Sequence, residues 1–274
     1  MRTMSFAFLA ASLLLAQAAH AQQNDGTEPD GIEPDRPDFV DSSKVVGKGR
    51  VQLEGGYEVE RNRADGVRER TGSTPVLLRL GVSDMLEARV ETEGRMRYRA
   101  DSTGDDPVHQ RVRGWDDTTV GVKWHVADGD PDAGWRRPAL GLIADATFAT
   151  GTDFFRGQGV RPGVRGVAEW ELPQGLSLGV MPGVVRDHDD QGRRAIIGLF
   201  AISLGKDWSD RLHTFVEVAV PRITSVRHGG TEASFDVGGA WALSQDVQID
   251  AAVQRGLNHR TADLTWTVGL SIRL

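Results

Sequence analysis

A chain of 274 residues with a formal charge of −7, 39% apolar residues, 33 glycines and no cysteine lies below the roughly 45–50% apolar content of an average soluble domain. The missing cysteine excludes disulfides, thiolate metal sites and a cysteine nucleophile, and the acidic balance gives no footing for nucleic-acid binding. Beyond the N-terminus charges or prolines interrupt every apolar run, so no segment reaches the roughly 20 residues of a transmembrane helix, and any membrane crossing must be made by strands.

The chain opens with Arg2, an apolar run over residues 6–16 and the small-x-small pattern Ala19-His20-Ala21. This reads as a signal peptide, residues 1–21, cleaved after Ala21 and implying export. Residues 22–48 follow as a polar, acidic, Pro- and Gly-bearing periplasmic extension of the kind that does not build its own core. Within it, Asp35-Arg36-Pro37-Asp38-Phe39 reads either as a turn or as a plug or contact peptide.

From residue 49 to 274 a period of two takes over, and in a strand alternate residues face opposite sides. The predicted strands are 51–59, 73–82, 86–98, 120–126, 140–148, 164–170, 176–185, 195–205, 216–220, 235–241, 247–253 and 264–272. The third is the clearest, with a charge at every odd position from Glu87 to Arg97. Twelve strands place both ends of the barrel on one side. The links alternate in length: 61–72, 99–115, 150–160, 186–194, 222–230 and 256–261 are charged and Gly-rich external loops. The periplasmic turns 83–85, 173–175, 207–211 and 244–246 have five residues or fewer, and only 127–137 is longer. That alternation belongs to outer-membrane barrels and has no counterpart in a soluble β-sandwich. Tyr57, Tyr98, Trp115, Trp135 and Trp208 near strand ends agree with interfacial aromatic girdles. The predicted fold is an all-β, antiparallel transmembrane barrel of about twelve strands, placed in the outer membrane of a Gram-negative cell.

The charged face of each strand is assigned to the lumen: Glu87, Arg89, Glu91, Glu93, Arg95 and Arg97 on the third strand, Arg79 on the second, and Lys123, His125, Asp145, Glu169, Glu217, Asp236 and Asp250 on later ones. Unpaired charges there would be costly. The residues can form a mutually neutralising network that holds the lumen shut or rigid, or a constriction that selects permeants by charge. Interleaved signs cancel a selective field and favour the network for most of them. No G-x-S-x-G, H-E-x-x-H, P-loop or dinucleotide fingerprint occurs, so no catalytic, cofactor or metal residue is predicted, and an outer-membrane lipase is the weakest reading.

Three stretches resemble one bacterial family, the outer-membrane β-barrel proteins named for a MetA pathway of phenol degradation and often labelled transporters. They are Asp35-Arg36-Pro37-Asp38-Phe39-Val40-Asp41-Ser42-Ser43 with Lys48-Gly49-Arg50-Val51-Gln52-Leu53-Glu54-Gly55-Gly56-Tyr57; Thr150-Gly151-Thr152-Asp153-Phe154 with Val167-Ala168-Glu169-Trp170-Glu171-Leu172-Pro173-Gln174-Gly175-Leu176-Ser177-Leu178-Gly179; and Gln248-Ile249-Asp250-Ala251-Ala252-Val253-Gln254-Arg255-Gly256-Leu257-Asn258 with Asp263 and the closing Val268-Gly269-Leu270-Ser271-Ile272-Arg273-Leu274. The resemblance implies a channel or transporter for small, aromatic or hydrophobic compounds. Its expected partners are outer-membrane lipid and lipopolysaccharide, the barrel-assembly machinery and the permeant, with no nucleic acid. A closed structural or partner-binding barrel is the alternative. The chain departs from barrels of this kind by ending in Leu274 rather than an aromatic residue.

Overall fold

The computed structural model describes residues 31–64, 66–102, 107, 109–188 and 192–274; the predicted signal peptide and the first part of the extension lie outside these residues. The strands among them are β1 (Val51–Ala64), β2 (Val67–Ser73), β3 (Val76–Gly81), β4 (Leu86–Thr92), β5 (Arg95–Ser102), β6 (His109–Trp115), β7 (Thr118–Ala127), β8 (Ala139–Phe148), β9 (Val160–Leu172), β10 (Leu176–His188), β11 (Arg194–Ser209), β12 (Leu212–Ile223), β13 (Glu232–Ser244), β14 (Val247–Gly256) and β15 (Leu264–Arg273). Both β2 and β3 pair with β1, one beyond the other, and they form a single stave interrupted at residues 74–75. In the same way β4 and β5 make one stave, and β6 and β7 another. With these three joined and β15 paired back onto β1, the sheet is a closed antiparallel barrel of twelve staves. Closure leaves no open edge, the condition for strands to stand in lipid.

Side-chain placement inverts that of a soluble protein. Leu53, Val120, Leu204 and Val268 are each 44–47% exposed on the outer surface, while Gln52, Glu54, Arg79, Glu87, Lys123 and Glu217 inside the barrel are at most 1% exposed. A sandwich core would reverse the two sets. Apolar residues here can be covered only by lipid, and the buried charges can be satisfied only by one another or by whatever fills the lumen. On the outer face Tyr57 packs edge-on against Trp266, 5.8 Å between ring centroids, and Trp135 lies against Trp170.

Three features depart from the sequence reading. The segments expected as external loops 61–72 and 99–115 are mostly strand: β1 and β2 pair out to Ala64 and Val67, and β5 and β6 carry the wall past the end of β8. The inner wall is not uniformly polar, because Ile143, Val167, Met181, Leu199, Ala201 and Ala219 on β8 to β12 form a buried apolar cluster. The third concerns Arg95 and Arg97. Gly72 pairs with Arg97 and Val76 with Thr92, so three residues on one stave oppose four on the other. One extra residue flips every side chain beyond it to the opposite face. The flip falls at Gly94, whose φ of +67° suits glycine alone without strain. Beyond it Met96, Tyr98 and Ala100 face inward, and Arg95, Arg97 and Arg99 are exposed on the outside. These two arginines therefore do not line the lumen.

The end of the barrel that carries Val51 and Leu274 is called proximal below and the opposite end distal. Proximal connections are short, apart from 128–138, where Asp130 caps a 3-10 turn over Pro131–Arg136 through Asp132 N and Ala133 N.

Candidate functional site: the lumen and its N-terminal segment

Residues 31–50 have no periodic pattern and form no strand; they run from the proximal end up into the lumen, turn, and return to enter β1. Such a segment carries backbone N–H groups with no ladder partner, and each must find an acceptor. The barrel supplies carboxylates. Asp35 N donates to Glu54 Oε2 (2.9 Å), Phe39 N and Val40 N to the two oxygens of Glu217 (both 2.9 Å), Ser43 N to Glu169 Oε2 (2.6 Å) and Val46 N to Glu87 Oε2 (3.0 Å). Charge-assisted bonds of this kind are the strong class.

The segment's own carboxylates meet the barrel's cations. Lys123 Nζ lies 2.7 Å from Asp35 Oδ1, Arg89 Nη1 lies 2.8 Å from Asp35 Oδ2, and Arg89 Nη2 lies 2.9 Å from Asp41 Oδ1. Arg165 spans Asp41 (3.0 Å) and Asp145 (2.7 Å). Arg79 donates to Glu87 (2.8 Å), to Glu54 (3.2 Å) and to the carbonyls of Glu33 (2.8 Å) and Lys44 (2.9 Å). Burial opposes ionisation of Asp35, yet Arg79, Lys123 and Arg89 outweigh it and hold that carboxyl well below the usual range. Arg36 reaches the other way, to Asp250 Oδ1 (3.2 Å) and Thr267 Oγ1 (2.8 Å). The ion pairs of Arg79, Arg89 and Lys123 are buried on both sides, and a buried charge is tolerable only when it is paired and hydrogen-bonded.

Shape complements charge. Val40 enters the apolar cluster of β8 to β12, with Phe39 packed against it. Inward glycines leave the room: a Cβ on Gly81 would stand 1.7 Å from the carbonyl oxygen of Gly47, and one on Gly141 would stand 2.9 Å from Ser43 Cα. The segment and the wall thus fit as one packed unit.

Of the residues assigned to the lumen from sequence, Arg79, Glu87, Arg89 and Lys123 are brought together around Asp35, and Glu169, Glu217, Asp145 and Asp250 bind the segment or its neighbours. His125 Nδ1 lies 3.0 Å from the carbonyl oxygen of Ser43. Glu91, Glu93 and Asp236 line a distal cavity of about 280 Å³ above the turn of the segment. Asp41, Glu54 and Arg165 are further partners, outside the set expected to line the lumen. Glu54 and Arg165 share the inward parity of their strands, and that parity was the available signal; nothing in a non-periodic segment marks Asp41. A second cavity of about 320 Å³ runs along the segment toward the proximal end, past Ser203, Phe215 and Gln248. Both cavities are lined by Arg36, Pro37 and Asp38, so the turn of the segment stands between them.

No curated protein matches the sequence. Among solved structures, an outer membrane channel from Pseudomonas putida F1 is similar, with a TM-score of 0.61 and 10% identity over 92% of this chain and 100% of that one. The β domain of the Bordetella autotransporter BrkA is also similar, with a TM-score of 0.54 and 13% identity over 81% of this chain and 98% of that one. At such identities the likeness is one of fold. Residues 34–274, which take in the docked segment from Pro34 onward and the whole barrel, match the family described as "Putative MetA-pathway of phenol degradation", and the chain belongs to that family.

Proposed function

We propose that the chain is an outer-membrane channel for small solutes whose path is narrowed by its own N-terminal segment, with the proximal end in the periplasm. The observation that carries this reading is the pair of cavities that meet at Arg36, Pro37 and Asp38. A rigid structural barrel has no need of space on both sides of its filling. The lumen is amphipathic: acids and bases line it all round, and an apolar cluster stands among them on β8 to β12. That combination supports small permeants with an apolar body and a polar group, in keeping with the aromatic compounds in the family's name.

Planar-bilayer conductance tests the proposal. Replacing Glu217 and Glu169 by Gln removes the charged acceptors of three segment N–H groups, and hydrogen bonds to charged groups are each worth about 1.5–3 kcal/mol. The wild type should conduct weakly and the double variant severalfold more. The dense docking of the segment favours a second reading, a permanently closed barrel. If neither the wild type nor the variant conducts while both migrate as folded barrels, that second reading stands and the channel falls.

A further inference from the structure

On the outer surface the distal parts of β1, β2, β5 and β6 carry arginines on neighbouring strands in one register. Arg61 on β1 pairs with Arg70 on β2, Arg70 with Arg99 on β5, and Arg99 with Arg111 on β6. The four form one continuous row, and all are exposed. One rung toward the membrane, Arg97 pairs with Arg113. Neighbouring strands lie about 4.8 Å apart, so the row of four spans roughly 15 Å. Like charges directly opposite on neighbouring strands destabilise a sheet, and here four stand in line. Asp101, bound to Arg99, is the only acid joined to these six arginines by an ion pair among the described residues.

Position supplies the counter-charge. On β1 the outward residues are apolar or aromatic up to Val59, which lies beside Trp266 of β15, and Arg61 follows at the next outward place. Trp115 sits one rung below Arg113 and is 59% exposed. Aromatic residues at this level mark the edge of the hydrocarbon layer. The arginine row therefore begins where lipid headgroups begin, on the lipid-facing side of the wall. The inner face of the same strands carries the opposite charge, Glu58, Glu60 and Glu69, so arginine is confined to the side that meets lipid. The guanidinium fork fits phosphate oxygens bidentately, and arginine is more readily desolvated than lysine.

We infer that the outward row Arg61, Arg70, Arg99 and Arg111, with Arg97 and Arg113 below it, is a binding site for the phosphate groups of outer-leaflet glycolipid. The site rests on the outer-membrane placement but not on conduction. The row's like-charge repulsion is relieved when the phosphates occupy it, and the extension of β1, β2, β5 and β6 is thereby fixed against the leaflet. Arg99 already has Asp101, so Arg61, Arg70 and Arg111 are the positions to alter.

The test titrates delipidated, folded protein in neutral detergent with diphosphorylated lipid A, with its dephosphorylated counterpart and with inorganic phosphate, scored by native mass spectrometry. Diphosphorylated lipid A should bind at least tenfold more weakly to the triple variant Arg61→Ser, Arg70→Ser, Arg111→Ser than to the wild type. Heat-modifiable migration and conductance should be unchanged. The dephosphorylated lipid should bind both proteins equally weakly, and inorganic phosphate should not displace the bound glycolipid. The triple Lys variant, which keeps charge and loses the fork, should show an intermediate loss; it also serves if the Ser variant fails to fold. Equal binding of diphosphorylated lipid A to wild type and Ser variant overturns the inference, as does equal binding of the two lipids to the wild type. Displacement by inorganic phosphate at matching concentration overturns the lipid assignment. A barrel that binds the lipid as expected but passes no current overturns the channel and leaves this site standing.

Discussion

Asp35 draws three cations of the wall to one carboxylate: its oxygens accept from Lys123 and Arg89 with Arg79 at 3.5 Å, its backbone N–H donates to Glu54, and Ser42 N donates to it at 2.9 Å. Asp35→Asn keeps the shape and the Ser42 bond but leaves Lys123 and Arg89 without that counter-charge. Breaking a buried pair from one side costs about 3–5 kcal/mol, so the docked state of the segment should weaken about 100-fold or more at 1.4 kcal/mol per factor of ten. Limited proteolysis of residues 31–47 against the intact barrel reads this directly, and unchanged protection would refute the role given to Asp35. The same carboxyl sets a pH dependence. Its docked value lies below its undocked one, so its contribution is complete above the ordinary carboxylate value of about 3.9 and drains away as pH falls from there toward the docked value. Acidification from pH 5 to pH 3 should loosen the segment in the wild type, whereas Asp35→Asn should start loose and lose less on the same descent. Proteolysis with an acid-active enzyme separates these outcomes.

At the scale of the element, the interruptions at 74–75, 93–94 and 116–117 mark adjacent staves, and the one at Gly94 decides which face the next strand shows. A Cβ there would stand 2.3 Å from the carbonyl oxygen of Thr74, on a residue with φ +67°. Gly94→Ala should therefore cost about 1–3 kcal/mol and lower the urea midpoint of the folded barrel. Gly55→Ala, whose Cβ would meet only Pro75 O at 3.8 Å, should leave it unchanged. Equal midpoints for the two variants would remove the strain argument. The same stave separates what a sequence carries locally from what only its neighbours decide. Alternation of small apolar and charged residues gave twelve staves and the inward parity of Arg79, Glu87, Arg89 and Lys123, because parity is a local property of a strand. It could not give the face of Arg95 and Arg97, because the extra residue exists only relative to the neighbouring stave. The hairpins β1–β2 and β5–β6 looked like loops because their outward arginines are not apolar, although Arg61, Arg63, Arg68 and Arg70 already alternate in the sequence. The segment around Asp35-Arg36-Pro37-Asp38-Phe39 was visible as a motif, and its partners were not, since they lie on six or more strands far away in sequence.

For the whole molecule, the wall separates charge along β1, β2, β5 and β6: their distal arginines face outward, and Glu58, Glu60 and Glu69 face the lumen. Eight acidic residues and three basic ones line the distal cavity, and the deeper cations Arg79 and Lys123 are already engaged by Asp35, Glu54 and Glu87. Glu58, Glu91 and Glu93 stay on the cavity wall above the docked segment. A mouth lined by one sign of charge, enclosed by low-dielectric walls, concentrates the opposite ion, as rings of Asp and Glu do in cation channels. The outward arginines do little to offset this, because they stand on the far side of the wall among screened headgroups. In alkaline solution, where buried carboxylates are ionised, the channel should therefore prefer potassium over chloride, measured from the reversal potential in a potassium chloride gradient with the Glu217→Gln, Glu169→Gln protein to raise the current. Adding Glu58→Gln and Glu93→Gln should bring the permeability ratio toward unity. Raising the salt to 1 M, where the screening length falls to about 3 Å, should do the same without any substitution. A chloride preference in the parent variant would place the selective field elsewhere, at the cations around Asp35, and would mean that the segment leaves the lumen altogether when the channel conducts.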